Sequence, residues 1–214
     1  AGEYTVTISG VMQTVQFGGI VSPSITSIRN KLIAVPNLGN VGWTSFESTF
    51  QSCSNLGEVY GGNTSQVTTM KDMFISATKV IPDTSGWDTG EVLNMMSMFT
   101  HTSFANPDVS EWNTSKVTNM RSVFESTGAA DPDVSDWNTS SVTILGTMFN
   151  GAAVANPDVS QWDTASVQIM YYMFQDAPFA NPDTTSWDMG NVSAGGFAQM
   201  FNNSGISDEN YSNF

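Results

Sequence analysis

The chain has 214 residues, of which 40% are hydrophobic and 12% charged, and its formal net charge is −14. No basic residue lies beyond Arg121, so the second half offers no cationic surface for nucleic acid or anionic lipid. A single cysteine, Cys53, excludes an intrachain disulfide framework, and no run of about 18 apolar residues predicts a membrane span.

The first part of the chain alternates between apolar and polar residues. This alternation runs through residues 4–21 and is typical of the two strands of a β-hairpin. We expect residues 1–36 to form an N-terminal β cap that covers the first repeat.

A 25-residue repeat fills most of the remaining chain, and Val, then Met or Leu, then Phe follow the tryptophans from Trp87 to Trp162 at fixed distances. A repeat of about 20–50 residues predicts a solenoid, in which equal residues of successive coils stack into one continuous core. We expect about seven coils over residues 37–205, a C-terminal cap over residues 206–214, and one structural domain. The tryptophans at this interval are Trp87, Trp112, Trp137, Trp162 and Trp187.

Each repeat combines the pattern of a short strand with that of a short helix. The Pro-Asp-x-Ser stretch before each Trp predicts a strand that begins at the proline, because proline has no N–H to give to a ladder. After the Trp, apolar residues at i, i+3, i+6 and i+7, as from Val92 to Phe99, favour one face of a helix. Asp/Asn-Thr-Ser-type clusters ahead of the helix, such as Asn113-Thr114-Ser115 before Val117, supply oxygens that can cap such a helix. The sequence therefore predicts an α/β repeat with one short parallel strand and one short helix per coil.

The pattern W-[DN]-T-x-x-V-x-x-M-x-x-M-F, with P-D-x-S before it, resembles the BspA-type leucine-rich-repeat surface proteins of bacteria. The likeness covers residues 25–205. It implies a right-handed leucine-rich-repeat solenoid on an extracellular adhesin, a class linked to attachment to other cells, host proteins or sugars. It carries no catalytic residue set. The N-terminus has neither an initiator methionine nor the pattern of a signal peptide, so we expect a domain of a larger secreted or anchored protein, whose export signal lies outside this stretch.

Asp and Asn recur at two positions of the repeat and so form two columns along the stack of coils. Two interpretations of these columns stay open. Each side chain can close a turn by accepting backbone N–H bonds, or the columns can hold Ca²⁺, a hard cation that prefers carboxylate and amide oxygens. The candidate calcium ligands are Asp83, Asp108, Asp133, Asp158 and Asp183 of the first column, with Asp163 and Asp188 of the second.

The predicted strand also offers a candidate ligand-binding row. We expect Ser85, Ser110, Ser135, Ser160 and Thr185 to form a hydroxyl ladder, so that by alternation their neighbours face the other way. Variation within a rigid repeat can encode a ligand, although solvent can equally tolerate it. The candidate ligand-binding residues are Thr84, Val109, Glu111, Val134, Asp136, Val159, Gln161 and Thr184.

These features favour a non-catalytic adhesion module. We expect it to bind an extracellular protein, peptide or glycan on another cell, or a second copy of itself as a homodimer, with Ca²⁺ as an aid. A purely structural spacer in a large adhesin is the alternative. A carbohydrate-active enzyme is less favoured because the carboxylates form a repeated series in which no pair stands apart. An ice-binding solenoid is less favoured because the mixed Glu, Asp, Gln and Ser column lacks a regular threonine array.

Overall fold

The computed structural model describes residues 29–212, so the predicted hairpin over residues 4–21 and the terminal Phe214 lie outside the described residues. Within that range, strand β1 (Glu58–Val59) pairs in parallel with strand β2 (Ile81–Pro82), and a short helix α1 spans Asp208–Ser212. Isolated parallel bridges link the other units, as between Asn94 and Asn119. No helix in this part of the chain is long and apolar enough to cross a membrane.

The predicted fold class, a right-handed leucine-rich-repeat solenoid with one strand and one helix per coil, is wrong. Between residues 29 and 212 the repeats contain consecutive turns and single bridges, and the only regular elements are β1, β2 and α1. We use the word coil below for one 25-residue unit, without implying the predicted strand and helix.

The predicted helix is replaced by a run of turns. Met98 N–H donates to the Met95 carbonyl three residues back (3.2 Å), and Ser97, directly before Met98, has a left-handed φ of 56°. A second left-handed residue, His101, follows four positions later with φ 59°. Alternate N–H groups then point out of their own coil, as Ser97 donates to the Arg121 carbonyl of the next coil (2.8 Å). These donors are lost to any i→i−4 ladder, so no α-helix forms.

The predicted strand before each Trp is shortened for a related reason. Pro107 has no N–H for a ladder, and the next residues close a turn in which Trp112 N–H donates to the Val109 carbonyl (3.2 Å). Side chains take over the lateral bonds. Asp131 N–H donates to Oδ1 of Asn106 in the preceding coil (3.1 Å), and Asn156 N–H donates to Oδ1 of Asp131 (3.0 Å). Asn181 N–H continues this series, which we call the Asx ladder, by donating to Asn156 Oδ1 (2.9 Å).

Equal aromatic residues of successive coils stack in the core, as the repeat predicts. The rings of Trp112 and Trp137 lie 6.2 Å apart at an angle of 5°, and those of Phe149 and Phe174 lie 5.6 Å apart at 2°. The core around them consists of buried Val, Met and Ala. Cys53 is buried among these residues as a small core side chain.

Two polar ladders tie neighbouring coils together inside this core. Trp137 Nε1 donates to the Val109 carbonyl of the preceding coil (3.0 Å). Thr114, two residues after a Trp, is buried and donates from Oγ1 to the Asn138 carbonyl of the next coil (3.0 Å). This threonine was expected at a helix N-terminus, and its actual role is to satisfy an inter-coil carbonyl. These two buried donors are thus paired with carbonyls of neighbouring coils, whereas Trp87 Nε1 is buried without such a partner.

At the C-terminal end the last coil carries α1. Phe201 stacks on Phe174 (5.9 Å, 6°), and Tyr211 of α1 meets the Phe201 ring edge-on (6.3 Å, 78°). Tyr211 thereby contacts the last ring of the phenylalanine column.

Candidate binding surface

The aspartates of the first column close turns within their own coils. Ser135 donates both its N–H (3.2 Å) and its hydroxyl (2.7 Å) to Oδ1 of Asp133. The hydroxyl bond, followed by the N–H bond, lowers the pKa of Asp133. Thr185 makes the same two bonds to Asp183, whose pKa is lowered first by the backbone N–H. The serine hydroxyls therefore serve these turns, and the predicted hydroxyl ladder along a sheet is wrong at Ser135.

The second column behaves in the same way. Asp163 Oδ1 accepts the Ala165 N–H (3.0 Å), and Asp188 Oδ1 accepts the Gly190 N–H (2.8 Å). The turn-closing interpretation thus has a specific bond at each site. Within residues 29–212 no set of three His, Cys, Asp or Glu side chains is grouped so that it could hold a metal ion. The calcium ligands named from the sequence remain predictions, and all of them are exposed carboxylates.

The candidate ligand-binding row splits into two groups. The exposed group consists of Glu111, Asp136 and Gln161, which occupy one column at the surface. The other group is at most 3% exposed and consists of Thr84, Val109, Val134, Val159 and Thr184. These five side chains cannot contact a ligand at the surface. The alternation expected of a strand fails here because the backbone turns between Val109 and Trp112.

The structure exposes an apolar row that the sequence reasoning missed. Phe104, Val154 and Phe179 occupy the same place in three coils, with exposed fractions of 61%, 41% and 63%. Ala129 stands at this place in the intervening coil and is half-buried. We call these four residues the apolar row. Its signal in the sequence is a hydrophobic residue directly before a buried alanine in these four coils, but the variation from Phe to Ala to Val, and the exposed Lys79 at this place in the coil before them, obscured it.

A pair of tyrosines lies outside the apolar row. Tyr171 and Tyr172 contact each other edge-on, with ring centroids 5.5 Å apart, and both are half-buried. The guanidinium of Arg121, two coils away, lies 5.6 Å from the Tyr171 ring centroid. Gly146 occupies the coil between them, where an added Cβ would come within 3.3 Å of the Tyr171 ring. Glycine thereby leaves room for this cation–π contact.

A shallow cavity of about 290 Å³ lies at the C-terminal end of the stack. It is lined by both apolar and amide side chains, and Tyr211 of α1 forms part of its wall. The lining residues are Phe197, Gln199, Met200, Phe201, Asn202, Ile206 and Tyr211. This cavity has no charged lining residue, so its chemistry differs from that of the carboxylate columns.

Taken together, the ring columns and the inter-coil bonds define a repeat protein in which 25-residue coils stack in register and repeat their surface chemistry. Residues 44–131 and 101–214 match the family described as Mycoplasma protein of unknown function, DUF285. Because these matches together cover far more than half of the chain, the chain belongs to this family. No curated protein and no solved structure matches it.

Proposed function

We propose that the chain is a non-catalytic binding module that serves adhesion at a cell surface, as part of a larger extracellular protein. The observation that carries the proposal is the apolar row, in which Phe104 and Phe179 each expose more than 60% of their surface at matching places in the repeat. Contiguous exposed apolar groups with a polar surround are typical of interaction sites. The resemblance to BspA-type surface proteins, stated from the sequence, supports the same class.

The rigid connection between coils favours a preformed binding surface. Neighbouring coils are joined by backbone bonds, a buried threonine and, from Trp112 onward, an indole N–H, so surface groups are held at a fixed spacing of about 5 Å per coil. A preformed surface loses little conformational entropy when a partner binds. A row of equivalent positions also suits a partner that is itself extended or repeated.

Calcium enters the proposal through the exposed carboxylate columns. The turn bonds of Asp133 and Asp183 both go to Oδ1, and carboxylate oxygens are the ligands that Ca²⁺ prefers. Cation binding would also relieve the mutual repulsion of a chain with a net charge of −14. We propose that Ca²⁺ strengthens adhesion by this route.

The test is direct binding of the purified chain to arrays of extracellular-matrix proteins and of glycans, with millimolar calcium and with EDTA. We expect saturable binding to at least one immobilised partner, weakened by the triple variant F104S/V154S/F179S. Substituting Leu93 by Ser is the matched control, because Leu93 is 46% exposed and lies outside the apolar row. Absence of binding on every array would support a structural spacer instead. An unchanged melting temperature and unchanged binding in EDTA would remove calcium from the proposal.

A further inference from the structure

The apolar row lies beside two polar columns on one outer surface. In the coil that starts near residue 104, Phe104, Asn106 and Asp108 are exposed, whereas Ala105, Pro107 and Val109 are buried. The same alternation recurs in the coils that follow, at residues 129–134, 154–159 and 179–184, apart from the half-buried Ala129. The outward side chains therefore form three neighbouring rows, which are apolar, Asx and carboxylate in that order. We call this surface the outer face and define it as the exposed side chains of residues 104–111, 129–136, 154–161 and 179–186.

The outer face carries negative charge and no positive charge of its own. Its four segments contain no Lys or Arg, and their acidic side chains include Asp108, Glu111, Asp133 and Asp136. The Asx row between the apolar and carboxylate rows contains a single charged residue, Asp131, whereas the carboxylate row is charged in every coil, at Asp108, Asp133, Asp158 and Asp183. The carboxylate row is thus the part of the face with charge to offer a partner.

The two outer rows fit together as one recognition surface. An extended chain spans about 3.3–3.6 Å per residue, so Phe104 and Asp108, four positions apart, lie within about 14 Å of each other. Four members at about 4.8 Å per coil give the apolar row a length of about 14 Å. A helix rises about 1.5 Å per residue and is about 10 Å wide, so some ten residues of helix would match the row while side chains on its flank reach the carboxylates.

From this geometry we propose that the outer face binds a cationic protein, through an apolar stripe flanked by Lys or Arg, of which a basic amphipathic helix is the simplest form. This proposal rests on the proposed function and specifies its partner. Apolar contact supplies affinity, and complementary charge supplies orientation and rate.

Other occupants of the outer face fit the charges less well. A second copy would bring two carboxylate rows together on chains that each carry a net charge of −14. Anionic lipid and nucleic acid meet the same repulsion. A neutral glycan could stack on Phe104 or Phe179 but would leave the carboxylate row without a role.

The experiment uses the full chain and three synthetic helical peptides of equal length, which are labelled for fluorescence anisotropy. One has a leucine stripe flanked by lysines, the second has serine in place of leucine, and the third has glutamate in place of lysine. We expect only the leucine–lysine peptide to bind well, and its affinity should fall as salt rises from about 0.02 to 0.15 M because screening weakens charge pairing.

Two sets of variants locate the site. F104S/V154S/F179S and D108N/D133N/D158N should each weaken the leucine–lysine peptide by about tenfold, as loss of a central contact cluster does. The matched charge control is D88N/D163N/D188N, measured in EDTA so that no calcium binds at Asp163 or Asp188; Asn113 and Asn138 already occur in this column and accept the same turn bonds. The matched apolar control is L93S. Both controls should bind within about twofold of the parent chain. Circular dichroism melts establish that each variant is folded.

The possible outcomes distinguish a failure of the inferred cationic partner from a failure of the proposed binding function. Equal binding of the serine–lysine peptide, or equal loss in D88N/D163N/D188N, means attraction to net charge alone and overturns the inference. Equal binding of the leucine–glutamate peptide overturns it as well. Sedimentation showing a dimer that F104S/V154S/F179S abolishes would assign the face to a second copy. If a glycan or matrix protein binds the chain, and F104S/V154S/F179S weakens that binding while D108N/D133N/D158N leaves it unchanged, the proposed function stands and the inference fails.

Discussion

The indole rings of Trp137 and Trp162 lie 6.5 Å apart and only 2° from parallel, while Trp162 Nε1 donates to the Val134 carbonyl of the preceding coil (3.0 Å). One side chain thus links neighbouring coils both by ring stacking and by a hydrogen bond. Contacts between nearest coils dominate in such a stack, so its stability should depend on each interface. This arrangement leads to predictions that differ between the middle of the stack and its end.

Replacing Trp137 by Ala should cost more stability than replacing Trp187. Trp137 stacks on Trp112 and on Trp162, whereas Trp187 stacks on Trp162 at the end of the tryptophan column. We expect W137A to lower the free energy of unfolding by about 3–5 kcal/mol, since a large aromatic side chain leaves a cavity. W187A should cost clearly less. Urea denaturation followed by circular dichroism measures both values, and equal losses would contradict nearest-coil stabilisation.

Replacing Ser126 by Gly should stabilise the chain. Ser126 has a φ of 55°, and the next coil has Gly151 at this place with a φ of 64°. A left-handed conformation costs a non-glycine residue roughly 1–2 kcal/mol, which glycine avoids at some cost in chain entropy. We expect S126G to raise the free energy of unfolding by about 0.5–1 kcal/mol. Thermal melts measure the change.

The control for this prediction is Ser122, which is also left-handed with φ 58°. Its hydroxyl lies 2.6 Å from the Thr147 hydroxyl of the next coil, so S122G loses a hydrogen bond while relieving the backbone. We expect S122G to gain less than S126G. The reverse order would show that backbone strain is not the controlling factor at these positions.

Removing a member of the Asx ladder should loosen the following coil. In N156A the Asn181 N–H loses its acceptor, Asn156 Oδ1. Because this edge is exposed, water can replace the bond, and we expect a loss of about 0.5–1.5 kcal/mol. Exchange of the Asn181 amide hydrogen should also become faster, as NMR can measure. D131N is the matched control, because the new amide oxygen still accepts the Asn156 N–H. The exchange rate of the Asn156 amide hydrogen should stay nearly unchanged in D131N.

The stacking of coils could be predicted from the sequence, whereas the path of the chain within a coil could not. Equal spacing of Trp137 and Trp162 requires only that coils sit in register. A spacing of three between apolar residues, as from Met95 to Met98, suits a helix but equally suits a turn closed by an i→i+3 bond. Ser97, whose left-handed φ decides between the two, is a serine, and a serine does not signal a left-handed conformation as a glycine would. For the same reason Val109 was placed at the surface, when a turn buries it.

The pKa of Asp133 should depend on the hydrogen bonds that Ser135 donates to it in the turn. The Ser135 hydroxyl is the main reason that the pKa of Asp133 is lowered, so S135A should raise this pKa toward the ordinary aspartate value. A carboxyl with a lowered pKa stabilises the fold above its unfolded pKa, and that contribution disappears as pH falls through the folded value. NMR of the side-chain carboxyl measures the shift. In T185A the pKa of Asp183 should rise less, because the backbone N–H dominates there and is retained. Equal rises would contradict the assignment.

Cys53 should be inert toward thiol reagents in the folded chain. Burial raises the pKa of its thiol from 9.0 to about 11, so little reactive thiolate forms near neutral pH. At pH 8 we expect an alkylating reagent to modify Cys53 only after denaturant unfolds the chain. Because the folded state holds this proton more tightly than the unfolded state, stability should fall as pH rises from about 9 toward 11. C53A, which keeps a small apolar residue as Ala77 does in the next coil, should lack the part of that fall that this thiol causes. Rapid alkylation of the native chain would contradict the buried placement.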